Sequence, residues 1–208
     1  MGFAAGTEGE IYLGQPEKGA LISVYSREGK LLRSFGKLKL YSHGDEFKDQ
    51  NEAFFNSTNR VRLSVDKDGN ILVGFMLIPL IQKYTRNGQL IFERRLEGQE
   101  IEALTRSSGG RLTMSIDGFA EEVIALEAVP RPNGEIEVVL TDRSIYLADQ
   151  NGKRLRVLHP QAETNFTPEM TGITPAGELM VIGLNPRNCY RLAANSREEG
   201  DVAENFHE

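Results

Sequence analysis

Leu63-Ser64-Val65-Asp66-Lys67-Asp68-Gly69-Asn70-Ile71-Leu72-Val73 is followed a few residues later by Ile81-Gln82-Lys83-Tyr84-Thr85-Arg86-Asn87-Gly88-Gln89-Leu90. Each stretch is a short run of apolar and β-branched residues, a polar turn containing glycine, and a second run. Asp-Gly and Asn-Gly pairs suit tight hairpins because Gly, Asn and Asp accept the positive φ that such turns demand. Residues 61–65, 71–75, 80–84 and 90–93 therefore read as four strands, with hairpin turns at Gly69 and Gly88.

The plan recurs on both sides of this unit. Upstream stand Glu8-Gly9, Ile11-Tyr12-Leu13, residues 21–25, Arg27-Glu28-Gly29 and residues 31–35. Downstream stand Asn133-Gly134, residues 136–140 and 144–147, Gln150-Asn151-Gly152 and residues 155–158. First turn and second turn are 20, 19 and 18 residues apart, from Gly9 to Gly29, Gly69 to Gly88 and Gly134 to Gly152. A shorter fourth copy reads Thr174-Pro175-Ala176-Gly177, residues 179–182 and Cys189-Tyr190-Arg191-Leu192. One small sheet cannot cover its own apolar faces, so a repeated four-stranded meander predicts an all-β fold whose blades stack around an axis, a β-propeller. About four antiparallel blades are recognisable. They form a single domain over residues 1–192, followed by a polar acidic tail over residues 193–208.

These motifs, with Val24-Tyr25-Ser26-Arg27-Glu28-Gly29 and Ile145-Tyr146-Leu147-Ala148-Asp149-Gln150-Asn151-Gly152, resemble the blades of bacterial NHL-type six-bladed propellers. The resemblance is one of structural turns and carries no active-site signature. Four blades do not close a six-bladed ring, and the expectation is that the chain begins inside a repeat unit with two blades preceding Met1. The units lie 60 and 65 residues apart, from Gly9 to Gly69 to Gly134, against about 40–50 for ordinary blades. Residues 36–60 and 99–122 are accordingly expected to be long loops or degenerate strands, of the kind that gather on one face and bind.

The net charge of -6 argues against a partner held by neutralised phosphates, so nucleic acid is not expected. The longest apolar run, residues 71–81, is broken by Gly74 and Pro79 and is about half the ~20 residues a membrane helix needs. Cys189 is the single cysteine and can form neither an internal disulfide nor a thiolate cluster. The amino terminus lacks the basic and apolar segments of a secretory leader, while the resemblance implies a periplasmic or secreted setting for the complete protein.

Asp66, Asp68 and Asn70 open like a calcium loop, but Ile71 and Leu77 stand where glycine and glutamate are required, so the segment reads as a hairpin turn. On the 36–60 segment, His43, Asp45 and Glu46 offer polar ligands, and the pair Phe54-Phe55 is suited to anchoring a partner. The leading expectation is a noncatalytic scaffold that binds a protein, peptide or carbohydrate through its face loops and needs no cofactor. The alternative is an enzyme similar to the lactonase and lyase members of the six-bladed group, which hold a divalent cation such as calcium near the axis. Asp142 and Asp149, beside a strand of the clearest blade, are then the first carboxylates to test.

Overall fold

The computed structural model describes residues 2–39, 56–107, 112–115, 118–121, 123–159, 168–173, 179–183 and 189–192. Three four-stranded antiparallel meanders account for most of them. The first blade is β1 (Phe3–Ala5), β2 (Ile11–Gly14), β3 (Ile22–Tyr25) and β4 (Leu31–Phe35). The second is β5 (Val61–Val65), β6 (Ile71–Phe75), β7 (Leu80–Tyr84) and β8 (Leu90–Arg95). A helix, α1 (Gln99–Ser107), and a hairpin of β9 (Leu112–Ser115) and β10 (Gly118–Glu121) follow. The third blade is β11 (Ala125–Pro130), β12 (Ile136–Leu140), β13 (Ile145–Ala148) and β14 (Arg154–Leu158). A three-stranded sheet of β15 (Pro168–Ile173), β16 (Leu179–Gly183) and β17 (Cys189–Leu192) stands in fourth place.

The turns form for the reason the sequence suggests. Gly9, Gly69 and Gly134 close the first hairpins and Gly29, Gly88 and Gly152 the second, all with φ between 78° and 90°. At Gly69 the Asp66 carboxylate accepts the backbone N–H of Asp68 at 2.9 Å and of Asn70 at 2.8 Å, which closes the loop on itself without a cation.

Strand order sets the stacking. The first strands of successive blades lie side by side: β1 and β2 pack on β5, β11 packs on β5 and β6, and β15 packs on β11. The fourth strands face outward, and β4, β8 and β14 are mostly exposed or half-buried. Between the first two blades lies one core, containing Tyr12, Ile22, Val24, Ile71, Val73 and Phe75. Between the second and third lies another, containing Leu72, Ile81, Ala128, Ile136, Val138 and Tyr146. The alternation along β6 serves both: Ile71 and Val73 face one blade and Leu72 the other. Full burial of each such side chain contributes about 1.5–3 kcal/mol.

Two sequence expectations change. The first blade is a whole four-stranded sheet; its β1 escapes notice because Phe3-Ala4-Ala5 is too short to show alternation. The 99–122 segment contains a helix, because Ile101 and Leu104 are three residues apart and share a face that joins the second core. Glu100 and Glu102 in its first turn and Arg106 in its last suit the helix dipole.

Close approach of β11 to β6 depends on a missing side chain. A Cβ added at Gly74 would stand 2.9 Å from the Ala128 Cβ and 3.2 Å from its backbone nitrogen. Gly74→Val is expected to push the second and third blades apart, costing about 1–3 kcal/mol and lowering the melting temperature by roughly 3–10 °C; circular dichroism melts measure it.

Candidate functional site

Meander topology sorts the connections onto two faces. The turns that join first to second and third to fourth strands share one face, the turn face. The loops that join second to third strands, and the connections between blades, share the other, the loop face.

On the turn face, charge locks the first two blades together. Glu10, whose side chain is 10 % exposed, accepts Arg86 Nη2 at 2.8 Å and Nε at 3.0 Å, and Arg33 Nη2 at 3.4 Å. Arg86 also pairs with Glu8 and holds that carboxyl below its ordinary range. At the corresponding turn of the third blade stands Gln150, beside a cavity of about 140 Å³ that Asp66, Asp68, Lys83 and Arg131 also line. Lys83 and Asp66 neutralise each other there at 2.9 Å.

The ends of the 36–60 segment, residues 36–39 and 56–60, stand on the loop face. His43, Asp45, Glu46, Phe54 and Phe55 lie outside the described residues, but both ends of their segment are described. Asn59 is fully buried and ties those ends together: its Oδ1 accepts the Lys39 N–H at 2.6 Å, and its Nδ2 donates to the Lys39 carbonyl at 2.9 Å. Gly36 and Arg60 are fixed in turn, their carbonyls accepting the N–H groups of Leu21 at 3.0 Å and Met76 at 3.1 Å.

Below it, Lys39 Nζ reaches Glu93 at 2.5 Å, Gln82 Nε2 donates to Glu93 at 2.6 Å, and the Tyr84 hydroxyl donates to Gln82 at 2.8 Å. Burial opposes ionisation of Glu93, but the hydrogen bonds from Lys39 and Gln82 prevail and hold its carboxyl below the usual range. Burial, with Glu93 nearby, pushes the Tyr84 phenol up to about 12, so it remains a donor.

Beside the same face, the end of β8 and the start of α1 enclose a groove of about 480 Å³. Leu96 and Ile101 form its apolar floor; Arg95, Glu97, Glu102 and Arg106 supply charges at its rim. Gly98 sets the entry to the helix: its φ is 127°, its carbonyl accepts the Glu102 N–H at 2.9 Å, and a Cβ there would meet Arg154 Nη1 at 2.8 Å. Neither Asn59 nor this groove was legible in advance; the helix's own two-residue apolar stripe was the available signal for the groove.

The carboxylates considered for a metal do not meet. Asp142 and Asp149 flank β13 at opposite ends, so Asp142 belongs to the loop face and Asp149 to the turn face. Four residues of strand put roughly 13 Å between those ends. Asp142 Oδ1 accepts the Ser144 N–H at 2.9 Å and hydroxyl at 2.6 Å, and Asp149 Oδ1 accepts the N–H groups of Asn151 at 2.8 Å and Lys153 at 2.9 Å. Both oxygens shape turns, and Arg143, between Asp142 and Ser144, takes a positive φ of 76°. Among the described residues no three His, Cys, Asp or Glu side chains converge as a metal ion would require.

A buried acid was not foreseen. Glu137 on β12 is 3 % exposed; Arg131 Nε forms an ion pair with its Oε1 at 3.2 Å, and its Oε2 has no hydrogen-bond partner. Burial raises its carboxyl above the ordinary value; Arg131 opposes that shift and Glu135 adds to it.

No family model and no curated protein match the chain. Solved structures do. Streptogramin B lyase is 14% identical with a TM-score of 0.59, over 95% of this chain and 52% of that one. Catalytically inactive virginiamycin B lyase from Staphylococcus aureus, with quinupristin, is 14% identical with a TM-score of 0.58, over 95% and 53%. A protein of unknown function from Bacteroides caccae is 15% identical with a TM-score of 0.50, over 93% and 60%. The chain thus spans about half the length of the two lyase chains. These are β-propellers, and at such identity the likeness shows the fold: this chain is a partial propeller.

Two measurements test the site. Asn59→Ala leaves both Lys39 backbone groups without their partner, a cost of about 1–3 kcal/mol, and limited proteolysis within residues 40–55 is expected to run on the order of ten-fold faster. Because the folded Glu137 carboxyl is raised, its stability contribution is full below the unfolded value of about 4.3 and is lost as pH rises through the folded one. Glu137→Gln is therefore expected to melt with wild type in acid and above it in mild alkali.

Proposed function

We propose that the chain is a noncatalytic binding scaffold whose loop face takes up a protein, peptide or carbohydrate partner. The observation that carries this reading is that the Asn59-tied ends of the 36–60 segment and the groove beside α1 belong to one face. A fixed base presents a long segment at low ordering cost, and Phe54 and Phe55 within it supply side chains of the kind that anchor partners. The groove adds an apolar floor between charges of both signs, which suits a peptide whose apolar side chain sits between polar ones.

The chain, carrying an affinity tag, serves to capture partners from source cells by cross-linking and to probe a glycan array. Phe54→Ala with Phe55→Ala is expected to reduce the specific signal at least ten-fold with the melting temperature unchanged. Recovery of the same partners by wild type and variant, or of none by either method, overturns the reading. Excess calcium, manganese and zinc are added in parallel, since an ion that binds only the folded chain raises its stability. A rise abolished by Asp142→Asn or Asp149→Asn favours instead an enzyme similar to the metal-dependent propeller lyases and lactonases.

A further inference from the structure

On the turn face, the junction of first and second blades and the junction of second and third are built from matching positions and differ in what fills them. Counted from the turn glycines, Glu8, Glu10 and Tyr12 correspond to Asp68, Asn70 and Leu72, and Arg86 corresponds to Gln150. At the first junction Arg86 and Arg33 close on Glu10, and Tyr12 is buried against the same groups. No space is left there: a Cβ at Gly6 would stand 2.8 Å from Glu10 Oε2 and 2.9 Å from the Tyr12 ring. At the second junction the shorter residues leave the cavity of about 140 Å³ beside Gln150.

The charges around this cavity are already paired. Asp66 holds Lys83 at 2.9 Å, Asp68 holds Lys67 at 2.9 Å, and Arg131 meets Glu135 at 3.3 Å and Glu137 at 3.2 Å. An entering ion would compete with these pairs, whereas uncharged hydrogen-bonding groups remain open. Asn133 Oδ1 accepts the Glu135 N–H at 3.1 Å, but its Nδ2 has no acceptor among the described residues. The Gln150 amide has neither donor nor acceptor among them. Lys83 has N–H groups beyond the one aimed at Asp66, since an ammonium carries three. Leu72 and Ile136, each 1% exposed, with Pro130 and Pro132 give the cavity an apolar wall.

We propose that this cavity binds a single ring of a neutral sugar, at a site separate from the loop face. Sugar hydroxyls both donate and accept, which matches the amides of Asn133 and Gln150 and the spare N–H groups of Lys83, and the C–H face of the ring suits the wall of Leu72, Ile136 and the two prolines. A sugar brings no charge to a site whose charges are paired. The volume lies well below the roughly 300–1,000 Å³ of sites for larger ligands, which limits the occupant to one ring. A free monosaccharide and the end of a glycan chain share this chemistry.

Amide NMR of the full chain, titrated with glucose, galactose, mannose and N-acetylglucosamine and with disaccharides ending in each, tests this. At least one is expected to give saturable millimolar shifts at Asn133, Gly134 and Gln150; tighter binding of the disaccharide identifies a glycan end, and equal binding a free sugar. Gln150→Arg sets a guanidinium toward Asp68 as Arg86 reaches Glu8, in a turn that seats an arginine in the second blade. This variant is expected to melt no lower than wild type and to bind at least ten-fold more weakly. Asn133→Asp keeps the oxygen that accepts the Glu135 N–H and removes only the spare donor, an expected loss of about two- to ten-fold. Absence of saturable shifts with every sugar, shifts confined to the loop face, or unaltered binding by Gln150→Arg each overturns the proposal. So does a stabilisation that never saturates and persists in Gln150→Arg, since that is exclusion of sugar from the surface. Phe54→Ala with Phe55→Ala is expected to leave this binding unchanged, so the result here and partner capture by the loop face are decided separately.

Discussion

Burial between sheets is the constraint from which the rest of this structure follows. A four-stranded meander has two apolar faces and no means of covering either, so β6 divides its alternate residues between two neighbours, Ile71 and Val73 to one and Leu72 to the other. Stacking at that distance leaves no room for a side chain at Gly74. With the faces largely committed to packing, the strand ends remain for polar chemistry, and the Glu10 and Asn59 clusters lie there.

The two ends use their polar groups differently. On the turn face, Arg86 and Arg33 converge on Glu10 across the blade boundary, and the Glu10 Oε2 and Arg33 Nε left without hydrogen bonds show that the cluster is imperfectly satisfied. Such a cluster adds registry between blades more surely than it adds stability, because removing charges from water offsets much of their attraction. On the loop face, Asn59 does its work with neutral groups that carry no such desolvation cost, and it fixes the ends of a long segment instead of pinning two sheets.

Legibility of these features in the sequence follows the range of the interaction that creates them. The first and second hairpin turns of the three four-stranded blades were readable because their cause is local: glycine at positive φ, and an Asp66 or Asp149 carboxylate that bonds to N–H groups two and four residues on. Strand β1 and helix α1 were not, since three residues cannot display a period and Ile101 with Leu104 is too short a stripe to separate from strand alternation. The ties that define the candidate site are longer still. Asn59 acts on Lys39 across 20 residues and Arg86 on Glu10 across 76, and nothing in the residues around either reveals its partner.

Asp142 and Asp149 show the same rule from the other side. As residue types flanking a strand they suited a cation, but a short polar side chain at a strand end also finds backbone N–H groups within its own turn, and both carboxylates do. In both residues the oxygen that accepts these donors is Oδ1. Glu137 is a different case: its Oε2 has no hydrogen-bond partner inside the sheet stack, where desolvation favours the neutral acid over the charged form.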